Sequence, residues 1–278
     1  MIARGMILAL IVALGCSRER PAPATSTVTS VTVEPAPPKP AHVAGDPALV
    51  KDQAEYVDDI VAFTKTTKEQ VRERMQKGSV PLKDEWNSWE QQGPMTPERI
   101  SAFYKQTTNY IYELGEWHLF VADKRASDLA LVEELRKKAP PAGRMNVLDF
   151  GGGVGLLSVL LARAGLDVTL ADLDSTSLTF AASRAKRHSI PLKIWKSDVE
   201  AMPPDRKYDV IVALDVFEHI PKQELHKIVD KLIRLKHDKT EILLNAPFGK
   251  TSVHPMHLDA DAEVFAEIKR LQTELPKE

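Results

Sequence analysis

The chain has one cysteine in 278 residues, Cys16, which excludes an internal disulfide and any cysteine-cluster metal site. Neither sign of charge is in surplus: 37 Lys and Arg stand against 39 Asp and Glu, for a formal net charge of −2. The protein therefore has no basic field to hold a nucleic acid and no acidic tail. No internal repeat is visible. What remains, 278 residues of which 43% are hydrophobic, suffices for one full α/β domain plus an accessory segment.

The most informative stretch runs from Val147 to Gly155. A short apolar run ends in Asp149, glycines follow at positions 151, 152, 153 and 155, and Leu156 to Ala162 continue at helical spacing. This pattern predicts a buried parallel strand, a tight turn and the start of a helix. Glycines suit such a turn because a side chain would hold the backbone away from a ligand, and the helix N-terminus turns free N–H groups to the same spot.

The residues around the glycines separate two nucleotide readings. A dinucleotide fingerprint, G-x-G-x-x-G, fits Gly153 to Ser158 only if Ser158 replaces the last glycine. D-x-G-x-G-x-G, from Asp149 through Gly151 and Gly153 to Gly155, fits without exception. An acid at the strand end repels a pyrophosphate and suits a ligand carrying an ammonium and a sulfonium. The pattern resembles the first motif of the class I S-adenosylmethionine (SAM)-dependent methyltransferases. The resemblance implies SAM as cofactor and a Rossmann-like, doubly wound parallel sheet with helices on both faces.

The rest of the resemblance spans roughly residues 144 to 250. A second strand, Asp167 to Ala171, ends at Asp172, followed by Leu173; an acid there accepts from ribose hydroxyls in both nucleotide-binding families. Asp174-Ser175 reads as a second ribose contact or as the N-cap of the next helix. A third strand, Pro191 to Lys196, leads to Asp198 and Val199. In the methyltransferases the matching acid meets the adenine amino group and the next N–H meets the ring; a turn aspartate is the alternative. Tyr208 to Leu214 reads as a central strand, with Asp215 to His219 in the loop at its ligand-binding end and Glu218-His219 matching a pair common in the family. Asn245-Ala246-Pro247-Phe248 resembles the N-P-P-[YF] tetrad of amino methyltransferases, but it follows the fifth strand, Thr240 to Leu244, and lacks the first proline. It is set aside.

The front of the chain reads differently. Arg4, an apolar run from Met6 to Leu14, and Gly15 before Cys16 resemble a bacterial lipoprotein signal over residues 1–16, with Cys16 as the lipidated residue. Residues 17–45 are a Pro/Thr/Ser-rich tether with no apolar periodicity. A membrane-anchored location follows, in conflict with SAM being made in the cytoplasm; the alternative is a cytoplasmic protein whose N-terminus is misassigned. Residues 46–140 are helical in pattern. Asp46-Pro47 is read as N-cap and first helical position, apolar residues recur from Leu49 to Met75, and Gly78 is a stop. Thr96-Pro97 opens a second helix bearing aromatics from Phe103 to Trp117, and a third ends at Ala139-Pro140-Pro141. Tyr104 and Tyr110 are the preferred lid and pocket residues, the alternative being plain core packing.

Residues 141–278 form the expected SAM domain. After Asp259, itself a candidate helix cap, one amphipathic helix reaches nearly to Glu278 and leaves no room for the two further strands usual in the family. Either the chain is truncated or upstream helices cover that sheet edge. Methyl transfer to an amine or thiolate needs alignment alone, whereas a hydroxyl also needs a base. His219, His254 and His257 are the candidates, and no metal site is expected. The overall expectation is a methyltransferase acting on a small molecule. The alternatives are a tethered module that keeps the fold without turnover, and a nicotinamide-dependent oxidoreductase.

Overall fold

The structure is a computed structural model that describes residues 47–140, 144–201 and 206–276. Cys16, the leader, the tether and the Asp46 cap lie outside the described residues. Among the described residues, no helix is long and apolar enough to cross a membrane.

Six helices precede the sheet: α1 (Pro47–Thr64), α2 (Lys68–Gln76), α3 (Val80–Gln91), α4 (Pro97–Gln106), α5 (Asn109–Phe120) and α6 (Ala122–Lys138). Then follow β1 (Asn146–Phe150), α7 (Leu156–Arg163), β2 (Asp167–Asp172), α8 (Thr176–Arg187), β3 (Lys193–Lys196) and β4 (Tyr208–Leu214). A 3-10 turn (Phe217–His219), α9 (Lys222–Arg234), β5 (Lys236–Asn245) and α10 (Ala262–Thr273) complete the order.

The five strands lie in the order β3-β2-β1-β4-β5, and every pairing is parallel. The chain winds outward from β1 through β2 to β3, then returns to β4 on the other side of β1. The order reverses between β1 and β4, and α/β sheets bind ligands beyond the strand ends at such a point. This is the doubly wound parallel fold expected from the sequence.

Successive β1 residues pack on opposite faces, as strand geometry requires. Val147 joins Leu135 of α6 and Leu161 of α7 on one face. Leu148 joins Val229 of α9 and Leu271 of α10 on the other. Lys236, 2% exposed, donates from Nζ to the carbonyls of Leu271 and Glu274 at 2.6 and 2.5 Å, satisfying the C-terminal end of α10.

The helical segment differs from its reading in three places. The first pattern breaks into α1 and α2 at Lys65, whose φ is 60°, because Thr67 and Gln70 form a reciprocal capping box that starts a new helix. The second breaks into α4 and α5 at Thr107-Thr108, while its predicted cap, Thr96, does accept from the Arg99 N–H. Helix α3, with Trp86 fully buried against Phe103, was not anticipated. At the far end Asp261, not Asp259, caps α10, accepting from the Glu263 and Val264 N–H groups. Ser175 caps α8 through the Leu178 N–H.

Helix α1 docks on the sheet domain through a buried charge network. Arg184 of α8 donates to Asp59 at 3.0 Å, with both side chains at most 4% exposed, and its guanidinium lies 4.7 Å from the centre of the Tyr56 ring. Arg163 of α7 pairs with Glu55 at 2.5 Å. Tyr56 and Phe180 meet edge to face at 5.5 Å.

Candidate active site

The glycine turn leaves β1 at the switch point. Gly151, Gly153 and Gly155 have φ of +73°, +53° and +68°, a left-handed backbone that side chains disfavour. Space is equally restrictive at Gly151, where a Cβ would lie 2.2 Å from a Val216 methyl. At Gly153 it would lie 3.0 Å from Leu114 Cδ1, so α5 rests directly over the turn.

Two acids flank this cradle. Asp149 is 4% exposed and accepts from Ser158 Oγ at 2.6 Å, and burial lifts its carboxyl to about 6. Ser158, which breaks the dinucleotide pattern, is thus the partner that a buried acid requires. Asp172, at the end of β2, accepts from the Gly153 N–H through one oxygen and from the Leu173 N–H through the other, both at 2.7 Å. Burial raises it to about 6 against those two bonds.

Asp198 lies beyond β3 and accepts from the Asp174 N–H at 2.8 Å. Lys105 of α4 reaches it at 2.6 Å. Burial acts to raise Asp198, but the Lys105 ammonium and the Asp174 N–H outweigh it and hold the carboxyl below its usual range. The Val199 N–H donates to the Lys196 carbonyl.

At the end of β4 Asp215 takes a left-handed backbone, φ 55°, and accepts from Asn245 Nδ2 at 2.6 Å. The Asn245 tetrad set aside in the sequence therefore does contribute one residue here, from the end of β5. Lys124 of α6 lies 3.8 Å from Asp215 and 3.2 Å from Asp128. Glu113 of α5 faces the same acid; burial first, then Asp215, raise it to about 7.

The histidines converge with the lid tyrosines. Tyr104 Oη is 2.9 Å from His219 Nδ1. The His219 and His257 rings meet at 4.9 Å, and His257 stacks on His254 at 4.9 Å. Tyr110 packs beside Tyr104 at 5.8 Å. Burial lowers His219 to about 3 and also lowers His254 and His257, so the imidazoles are neutral at pH 7.

The Glu218 carboxylate, His219 and His257 bring ligand-type atoms within 4.8 Å of one another. Tyr104 Oη meets His219 at Nδ1, and a ring N–H of the neutral His219 donates to the Met256 carbonyl, so the ring is engaged within the protein. The trio is accordingly not assigned as a metal centre. In the other such group, Glu55, Asp59 and His188, Arg163, Arg184 and Arg187 hold the carboxylates.

The methyltransferase-domain family profile matches residues 147–238, the span from β1 into β5 that carries this geometry. Residues 147–238 match a methyltransferase domain. The methyltransferase domain is similar to the ubiquinone biosynthesis O-methyltransferase of Rickettsia conorii, 32% identical over 33% of this chain and 32% of that protein. It is also similar to the Rickettsia felis protein of that name, 29% identical over 44% of this chain and 50% of that protein. The match thus spans a third to a half of these relatives. Among solved structures it is similar to TehB from Haemophilus influenzae, at 22% identity and TM-score 0.41, covering 50% of this chain and 49% of TehB.

The family match implies SAM as the methyl donor of such a domain, and the residues present fit it. The left-handed glycines leave the turn without side chains, and each Asp172 oxygen keeps a lone pair for ribose hydroxyls after accepting one backbone N–H. The sequence reading missed Lys105, Lys124, Glu113, Ser158 and Asn245. Ser158 left a trace as the break in the dinucleotide pattern, and Asn245 as the head of the tetrad that was set aside. The others come from α4, α5 and α6, outside the matched span.

Proposed function

We propose that the protein transfers the methyl group of SAM to a hydroxyl of a small molecule bound beneath α4 and α5. Asp172, Asp198 and the glycine turn hold the cosubstrate, whose sulfonium supplies an activated methyl group and its leaving group. Methyl transfer is then a matter of alignment and exclusion of water, to which a hydroxyl acceptor adds loss of a proton.

The observation that carries the hydroxyl reading is the 2.9 Å contact between Tyr104 Oη and the neutral His219 ring. It joins the covering helix to the strand edge beside Asp215 and offers a proton path that an amine or thiolate does not need. The names of the Rickettsia relatives, O-methyltransferases, support the same acceptor atom.

Incubating the full chain with SAM and, separately, phenol, aniline and thiophenol tests this. Anisole from phenol, with no product in His219→Ala, is expected. Methylation of aniline or thiophenol alone would contradict the hydroxyl reading. SAM binding with no turnover of any acceptor would favour a binding module that keeps the fold without catalysis.

A further inference from the structure

Glu218 follows Phe217 in the 3-10 turn after β4 and is 0% exposed. Neither carboxylate oxygen has a hydrogen-bond partner, an arrangement that is costly for a buried carboxylate. His219 Nε2 lies 3.9 Å from Oε1, and a ring N–H of His219 donates to the Met256 carbonyl. The opposite ring nitrogen of the same histidine meets Tyr104 Oη at 2.9 Å. One imidazole therefore stands between a lid tyrosine and a buried acid that lacks a partner. The turn cannot drift from this place, because the Glu218 carbonyl accepts from the Leu258 N–H at 2.7 Å.

We propose that Glu218 is the terminal proton holder of a Tyr104–His219–Glu218 relay that draws the proton off the acceptor hydroxyl. This inference rests on the hydroxyl reading above. In the step, the acceptor O–H gives its proton to Tyr104 Oη as the Tyr104 proton passes to His219 Nδ1. The Nε2 proton of His219 passes to the Glu218 carboxylate. Tyr104 and His219 each end with as many protons as they began with, His219 now carrying its proton on Nδ1, Glu218 becomes neutral, and the acceptor oxygen is left as the nucleophile. The relay needs the 3.9 Å gap to close and the His219 N–H to exchange the Met256 carbonyl for the Glu218 carboxylate, and such contacts commonly tighten only once substrate is bound. Tyr104 touches the acceptor, whereas Glu218 acts through His219 and is a positioning residue.

The groups facing this line are Asp215 from β4, Tyr110 and Glu113 from α5, His254 and His257 from the loop after β5, and Lys124 near Asp215 from α6. Burial first, then Asp215, lift the Glu218 carboxyl to about 8.

The test combines ring-nitrogen NMR of histidine-labelled full chain with phenol kinetics, on wild type, Glu218→Gln and Tyr104→Phe. Glu218→Gln is isosteric, and Tyr104→Phe breaks the other end should the first variant misfold. In wild type without ligands, His219 is expected as the Nε2–H tautomer with a step in its shift near pH 8, absent in Glu218→Gln. With phenol and SAM, Glu218→Gln should lower kcat roughly 100-fold, leave KM for phenol nearly unchanged and abolish the rise of kcat with pH. A step that persists in Glu218→Gln, or an unchanged kcat and pH profile, would overturn the relay. Wild type that shows the step but does not methylate phenol would support the wiring and count against the hydroxyl reading alone.

Discussion

Lys105 on α4 places its ammonium 2.6 Å from the carboxylate of Asp198 beyond β3, while its neighbour Tyr104 reaches His219 beyond β4. Two consecutive residues thus tie one helix to both sides of the glycine turn. The acid that the family resemblance assigns to the adenine is already engaged by the covering helix. Lys105→Met should therefore speed both association and dissociation of SAM in stopped-flow measurements. Thermal stability should change little, because a half-exposed pair contributes about 1 kcal/mol or less. Rates equal to wild type would mean that the pair does not hold the helix closed.

The buried acids predict how stability follows pH. Glu218 at about 8, Glu113 at about 7 and Asp149 and Asp172 at about 6 all lie above their unfolded values near 4. A raised carboxyl binds its proton more tightly when folded, so its contribution is complete below the unfolded value and is lost as pH rises through the folded one. The melting temperature should fall between pH 5 and pH 9 by way of these groups, and Glu218→Gln should flatten the fall above pH 7. A wild-type melting temperature that climbs over that range would contradict the assignment. SAM held by the glycine turn would carry its positive charge beside Asp149 and Asp172, so its affinity should strengthen as pH rises through about 6.

Docking of α1 depends on Arg184. Removing one partner of a buried pair costs about 3 kcal/mol where the other charge is left bare; Asp59 keeps His188 Nε2 at 2.8 Å and Arg187 Nε at 3.5 Å, which makes that figure an upper bound. Arg184→Met should lower stability by less than that amount in chemical denaturation, yet by more than Arg187→Met, whose side chain is 45% exposed. Equal effects would show that Asp59 is served by either arginine.

Much of this architecture is legible in the sequence because it rests on local patterning. β1, β2 and β4 are short apolar runs closed by an acid, and the alternating glycines mark a turn that needs a left-handed backbone. Asp172 and Asp198 follow from strand ends, which place them on one sheet edge. The lid was legible only in composition. The break at Lys65 follows from the Thr67–Gln70 capping box, a signal present in the sequence but outweighed by the apolar repeat across it. Glu218 was visible as half of a family pair, yet its lack of partners depends on packing from α4, α5 and the loop after β5. Asn245 was set aside on chain order, and only the parallel pairing of β4 with β5 brings it to Asp215. Residues delivered by distant elements have no local periodicity to announce them.

The central claim is that the glycine turn and the β2 acid hold SAM. Calorimetric titration of the full chain with SAM and S-adenosylhomocysteine, alongside Asp172→Ala, tests it most directly. Saturable binding of both is expected, weakened in the variant by about 1.5–3 kcal/mol, roughly 10- to 150-fold, for the loss of a charged acceptor of ribose hydroxyls. Some stability should be lost as well, since the Gly153 and Leu173 N–H groups lose their acceptor. No binding to a folded wild-type chain, or equal binding in the variant, would contradict the account.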